Sequence, residues 1–356
     1  MEKTADEVLV FVQAAADVPY ALGLCNDASR SGSRVHLVVV TVESVYDFLV
    51  SLGLDAVSVD FIPCLLLSYP RQPWRILQVR PALSRLFRQL FAGRKYSKAY
   101  FFCAQHDVVT PYFIRRLAET TPVFVADHYG MPMRNEVRWP LRVVLRWLYL
   151  RVVTGVWFDF AEAEQVSTSY WISTFRTERL GIKTIRLQPC APLLLTTGLW
   201  LGGGKEPTVL FLDDDHEKSP EMLDYSQTVL TLVQTLRDRG VKVCLKAHPR
   251  SGYSKCLAPL NLPTLPAGCP VELLDIRNMA AVISLNSLGL ARTAKEGQLG
   301  LSILDIVAFR SEEVREWWRR WIDRHSDNRV LYPKNLEELV ELVIQSPVLQ
   351  GELRVQ

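Results

Sequence analysis

Three short runs of this chain hold side chains whose types and spacing could do chemistry together. The run KAHPR, 246–250, closes an apolar stretch and crowds Lys246, His248 and Arg250 around Pro249. Proline removes a backbone donor and stiffens the loop. An imidazole flanked by Lys and Arg suits a phosphate, because it can bind through charge-assisted hydrogen bonds. Alone, His248 reads equally well as a capped core histidine. The run AVISLNSLGLARTAKEG, 281–297, sets Ser284, Asn286 and Ser287 before a helical pattern, with Gly289 just inside it. A hydroxyl and free N–H groups at a helix start bind anions, although plain N-capping uses the same residues. The third run, LFLDDDHEKSPEMLDY at 210–225, places Asp213, Asp214, Asp215, His216 and Glu217 after an apolar stretch. Crowded carboxylates raise one another's pKa, which suits a general base that deprotonates a hydroxyl. Helix capping is the bland reading of the same acids, and a hard-cation site ranks second among the functional ones.

The elements around these runs alternate. In the first half, apolar strand-like runs at 8–12, 34–42, 56–62, 99–107 and 122–130 are separated by helical patterns at 19–32, 44–53, 82–93 and 111–119. Residues 134–200 turn rich in Trp, Arg and Leu, and GLWLGGGKEP, 198–207, holds a glycine triplet that reads as a linker. Alternation then restarts with a strand at 208–212, a helix at 225–240 and a strand at 241–246, and continues through 271–275, 280–285, 287–297 and 301–306. Buried strands separated by helices predict parallel sheets covered on both faces. The expected architecture is α/β and GT-B-like: two doubly wound Rossmann-type domains with an interdomain cleft facing the carboxyl ends of the strands. The expected boundaries are 1–200 for an acceptor-side domain, 205–335 for a nucleotide-sugar domain and 336–356 for a C-terminal helix and tail.

Composition limits the function classes. The chain has 356 residues, 49% of them apolar, and a net charge of +3, which disfavours disorder and a nucleic-acid role. No G-x-G-x-x-G follows the first strand, so a nicotinamide enzyme has no support. The seven cysteines are scattered without CxxC or zinc spacing and read as reduced core thiols. With no uncharged apolar run of about 18 residues and with acids ahead of the first strand, neither a membrane span nor a secretory signal is expected. The expected location is the cytoplasm, at the inner face of the membrane.

Taken in chain order, acidic run, HP run and serine run, the three resemble the GT-B-fold bacterial sialyltransferases and polysialyltransferases over 205–310. The first 200 residues match in architecture only. His248-Pro249 matches the family's HP motif. Ser284 and Ser287 stand where the family commonly has adjacent hydroxyl residues. No glycine follows Asp213-Asp214-Asp215 as it follows the family's acidic pair. Aligning Tyr225 with a tyrosine often found downstream sets His216-Glu217 at that pair instead. The resemblance implies an inverting glycosyltransferase with a CMP-activated donor, sialic acid first and Kdo close behind, acting on a glycan or glycolipid hydroxyl. It implies that His248 and the serines hold the CMP phosphate, that an acid between Asp213 and Glu217 is the base, and that no metal or other cofactor is required. The alternatives are a CDP-polyol phosphotransferase, a UDP-sugar GT-B glycosyltransferase, or a non-catalytic nucleotide-sugar sensor or partner subunit. The acidic cluster separates these classes, since a pure binder of an anion gains nothing from it.

In the first half, Gln13, His106-Asp107 and His128-Tyr129 follow apolar strands, where an acceptor sugar needs hydrogen bonds. His106-Asp107 is a second candidate base. Arg134, Arg138, Arg142 and Arg146 recur every four residues among Trp and Leu, and 134–151 is therefore a candidate peripheral membrane contact. A core helix with snorkelling arginines is the competing reading.

Overall fold

The computed structural model describes residues 6–63, 76–102, 108–126, 133–134, 141–155, 158–163, 171–175, 182–190, 208–214 and 216–346. They fall into two compact units, Met1–Cys190 and Ala191–Gln356. The expected linker at 198–207 lies outside the described residues.

The first unit carries a parallel sheet of β1 (Glu7–Val12), β2 (Arg34–Val40), β3 (Val57–Ile62), β4 (Tyr96–Phe102), β5 (Val123–Ala126) and, from late in the unit, β9 (Lys183–Ile185). Their order is β3-β2-β1-β4-β5-β9. Helices α1 (Val18–Arg30), α2 (Glu43–Ser51), α3 (Ile76–Phe91) and α4 (Val109–Leu117) alternate with the strands. Uninterrupted apolar runs such as the VLVFV of β1 fit strands buried on both faces. Phe11 stacks on Phe101 with centroids 4.6 Å apart and meets Phe113 edge-on, which ties β1 and β4 to α4. The stretch 134–158 divides into helix α5 (Leu141–Thr154) and the start of β7 (Phe158–Ala163), which pairs antiparallel with β6 (Met133–Arg134) and β8 (Trp171–Phe175).

The second unit holds β10 (Thr208–Asp213), β11 (Lys242–Ala247), β12 (Thr264–Leu265), β13 (Met279–Ser284) and β14 (Gly300–Ser302), all parallel, in the order β12-β11-β10-β13-β14. Around them lie α6 (Tyr225–Asp238), α7 (Leu288–Lys295), α8 (Glu312–Ser326) and α9 (Leu336–Ile344). The run at 271–275 forms a short 3₁₀ turn, Val271–Leu273, instead of a further strand. Strand order reverses between β10 and β13, the place in an open α/β sheet whose carboxyl ends bind ligands.

Cys25, Cys244 and Cys269 are free and buried, and burial pushes their thiols up to about 12. That environment keeps them protonated and unreactive. No helix among the described residues is long and apolar enough to cross a membrane.

At the opposite end of the first sheet, His36 is fully buried, with Nδ1 2.6 Å from the Tyr96 hydroxyl and Nε2 2.7 Å from Asp60. Burial lowers the His36 pKa below 6.5, the Asp60 hydrogen bond opposes this, and Arg94 and Glu7 act in opposite directions. The unfolded chain therefore binds the proton more readily. The resulting stability is present above pH 6.5 and is lost as pH falls toward the depressed folded value. Between about pH 7.5 and about pH 5 the melting temperature should fall, and His36→Gln should flatten that slope. An equally steep slope in the variant would assign it to other groups.

Candidate functional site

The site is built on three strand ends of the second unit. Asp213 is the last residue of β10 and is buried. Its carboxylate accepts the Tyr225 hydroxyl and both the backbone N–H and the hydroxyl of Ser254, the last at 3.1 Å. Burial and the neighbouring Asp213 charge push the Tyr225 hydroxyl well above its ordinary pKa, so it stays a donor. Asp213 thus fastens β10 to α6 and to the segment after β11. Its backbone carbonyl accepts the His248 N–H at 3.0 Å.

One residue on, Asp214 leaves the strand and is part exposed. Its Oδ1 lies 3.2 Å from His248 Nδ1 and accepts the Ser251 hydroxyl at 2.7 Å, while its Oδ2 lies 3.8 Å from His216 Nε2. His216 Nε2 is 3.1 Å from Asn286 Oδ1, and the His216 ring meets Tyr225 edge-on. Asp215 lies outside the described residues. Glu217 is occupied elsewhere, accepting the Cys256 N–H at 2.7 Å. Burial raises its pKa, but the Cys256 and Lys255 hydrogen bonds and the Lys255 charge outweigh that and leave it lowered.

The KAHPR run makes a tight hairpin past β11. His248 N–H donates to Gly252 at 2.8 Å and Gly252 N–H returns to His248 at 3.0 Å, with Gly252 at φ 84°. That left-handed backbone favours glycine. The turn brings the N–H groups of Arg250 and Ser251 to 3.3 Å from His248 Nδ1, with the Ser251 hydroxyl at 2.9 Å. Burial lowers the His248 pKa below 6.5; Asp214 opposes this, while Arg250, Lys246 and His216 reinforce it. Near pH 7 the ring is neutral, and its hydrogen bonds with described residues gather at Nδ1.

From β13, Asn286 is buried and Ser287 is the N-cap of α7, its Oγ accepting the Gly289 N–H at 3.1 Å. With the oxygen engaged as acceptor, the Ser287 proton can donate outward. A Cβ at Gly289 would stand 2.5 Å from Cγ1 of Val271, so only glycine lets α7 start this close to the 271–273 turn.

The structure therefore links Asp214, His216, His248 and Asn286, with Ser287 next along the chain at the start of α7 and Pro249 and Arg250 in the hairpin itself. Two other expected residues of this unit are engaged elsewhere. Ser284 is buried and donates to the Leu212 carbonyl at 2.8 Å, stitching β13 to β10. Lys246 is buried, and its ammonium donates to the carbonyls of Ala247 at 3.3 Å and Ala267 at 3.1 Å; burial lowers its pKa. In the first unit, Gln13 is buried, with its N–H on Asp17 at 2.7 Å and its amide on Thr110. His106, Asp107, His128 and Tyr129 lie outside the described residues. Ser251, Ser254 and Asp17 were not singled out in the sequence. The serines follow HPR in SGYS, where turn residues mark a loop without revealing their partners. Among the described residues, no group of three or more His, Cys, Asp or Glu could hold a metal ion.

No protein-family model matches the sequence, and no curated protein matches it. Solved structures do. A protein assigned as a UDP-N-acetylglucosamine 2-epimerase from Listeria monocytogenes is similar over 98% of this chain and 89% of its own, at 11% identity and a TM-score of 0.51. The UDP-N-acetylglucosamine 2-epimerase of Rickettsia bellii covers 98% and 93% at 12% identity and 0.47. An E. coli heptosyltransferase with ADP covers 95% and 98% at 16% identity and 0.43. The Listeria likeness, with the two parallel sheets, establishes the fold as GT-B-type, built from two Rossmann-like α/β units. At such identities the likeness speaks to fold and not to reaction.

Proposed function

We propose that the chain is an inverting glycosyltransferase that takes its sugar, a 2-ulosonic acid such as sialic acid or Kdo, from a CMP-activated donor and delivers it to a glycan or glycolipid hydroxyl. The observation that carries this reading is the convergence of Asp214, His216, His248, Asn286 and Ser287 at the carboxyl ends of β10, β11 and β13. Strand ends beside a topological switch point are where α/β sheets bind ligands, and a helix N-terminus there suits a phosphate. His248, whose hydrogen bonds with described residues gather at Nδ1, presents Nε2–H to a phosphate oxygen, and Ser287 and the first N–H groups of α7 complete the cradle. As the acceptor oxygen bonds to the anomeric carbon, the bond from that carbon to the CMP phosphate breaks. The leaving charge meets donors already in place, which is the electrostatic form of catalysis. Asp214 is the base in this reading. It is the described acid of the run that is part exposed and carries no backbone cap, whereas Asp213 and Glu217 are both engaged. This chemistry asks for no metal or other cofactor.

A panel of nucleotides tests the donor. Ligand binding to the native state raises the melting temperature by mass action. CMP should raise it more than UDP, GDP or ADP. A larger shift with UDP would favour a UDP-sugar enzyme, in keeping with the name of the Listeria protein. A larger shift with CDP-glycerol than with CMP would favour the polyol phosphotransferase, and no shift with any nucleotide would overturn the reading.

A lipid-linked acceptor would require docking at a membrane, and α5 is the surface we propose for it. Leu145, Leu148 and Val152 share one helix face and are about half exposed, while Tyr149 and Val153 are buried. The helix bears Arg142, Arg146 and Arg151 and no acid. Apolar side chains flanked by cations bind anionic bilayers in a salt-dependent way. The protein should sediment with anionic vesicles at low salt, and replacing Leu145, Leu148 and Val152 by Ser should abolish this. Wild type left in the supernatant would make the face structural.

A further inference from the structure

We propose that Ser251 is a positioning residue that fixes the tautomer of His248, keeping the ring proton on Nε2 for the leaving phosphate; the functional consequence rests on the transferase reading above. The argument starts from a close pair of acceptors. His248 Nδ1 and Asp214 Oδ1 are 3.2 Å apart, and two lone pairs at that distance repel unless a proton lies between them. Two protons could serve: one on Nδ1 itself, or the hydroxyl proton of Ser251. Ser251 Oγ stands 2.9 Å from Nδ1 and 2.7 Å from Oδ1, so its hydrogen can reach either acceptor. The backbone decides between them. The N–H groups of Arg250 and Ser251 both approach Nδ1 at 3.3 Å, and a protonated Nδ1 would face both of these donors. With Nδ1 as acceptor, a neutral imidazole must carry its proton on Nε2.

Ser251 therefore does two things from one residue: its N–H marks Nδ1 as an acceptor, and its hydroxyl screens Nδ1 from the carboxylate. Without the hydroxyl, the ring relieves the repulsion by taking a proton at Nδ1 and donating it to Asp214. Nε2 then carries a lone pair, which a phosphate oxygen repels, or the ring becomes imidazolium. The groups that act on this balance are Asp214, which favours the extra proton, and Arg250, Lys246 and His216, which oppose it. Threonine preserves the hydroxyl at the same place; alanine does not.

The test is nitrogen NMR on protein labelled with ¹⁵N-histidine and free of nucleotide, which reads Nδ1 and Nε2 directly. His248→Gln identifies the His248 signals among those of the six histidines. Wild type is expected to show the Nε2–H form near neutral pH. Ser251→Ala should move the ring toward Nδ1–H and raise its titration midpoint by about 1 pH unit, through loss of one hydrogen-bond partner of the neutral form. Ser251→Thr should match wild type, and Ser251→Ala with Asp214→Asn should return to Nε2–H because the repelling carboxylate is gone. An Nδ1–H ring in wild type overturns the proposal whether or not any variant folds. So does a Ser251→Ala protein with the wild-type tautomer and midpoint. A CMP melting shift measured on the same wild-type sample separates the two readings: an Nε2–H ring without nucleotide binding defeats the transferase reading and sustains the tautomer assignment.

Discussion

His248→Ala should lower turnover by about 10²–10⁴, the range for loss of a positioned proton donor or of one electrostatic contact to a developing charge. The size of the effect follows from where the ring sits. Burial holds it neutral near pH 7 despite Asp214, so it offers one proton at a fixed atom without a competing titration. Asp214→Asn should cut turnover comparably but leave CMP affinity within a few fold, because a base touches the acceptor and not the phosphate. His248→Ala should weaken both. If His248→Ala keeps wild-type turnover, the imidazole is a loop tie and not a ligand.

Asp213→Ala is expected to give the largest loss of stability, about 3–5 kcal/mol in urea unfolding. The side chain is 2% exposed and collects three donors from two segments. Removing it strands the Tyr225 hydroxyl and the Ser254 N–H in the core, where unpaired donors carry their full desolvation cost. Tyr225→Phe, which removes one donor and leaves the rest, should cost less. A fully stable Asp213→Ala protein without activity would instead make Asp213 the base and displace Asp214.

How much of this was legible in the sequence follows from what strands and loops do. VLVFV, RVHLVVV, TVLFL and VKVCLK are mostly apolar, and each supplies a largely buried parallel strand. Their alternation with helices is the signature of the doubly wound layout. The hydroxyl at Ser287 and the ring at His248 were also readable, because a helix start and a proline-stiffened strand end are local signals. What stayed hidden depends on contacts across long separations. Nothing near Lys246 reveals that its partner is the carbonyl of Ala267, and nothing near Ser284 reveals the Leu212 carbonyl. In the acidic run, one residue decides the role: Asp213 still belongs to the strand and points into the core, and Asp214 is the first residue past it. Composition treats the two as equals. Ser251 was invisible because its role depends on the hairpin that returns it to His248.

The most direct test of the central claim is isothermal titration of CMP into wild type and into His248→Ala at one pH and salt concentration. The account predicts a single CMP site in wild type and at least a tenfold weaker one in the variant, equivalent to about 1.4 kcal/mol. Equal affinities in the two proteins, or no CMP binding by wild type, would contradict it.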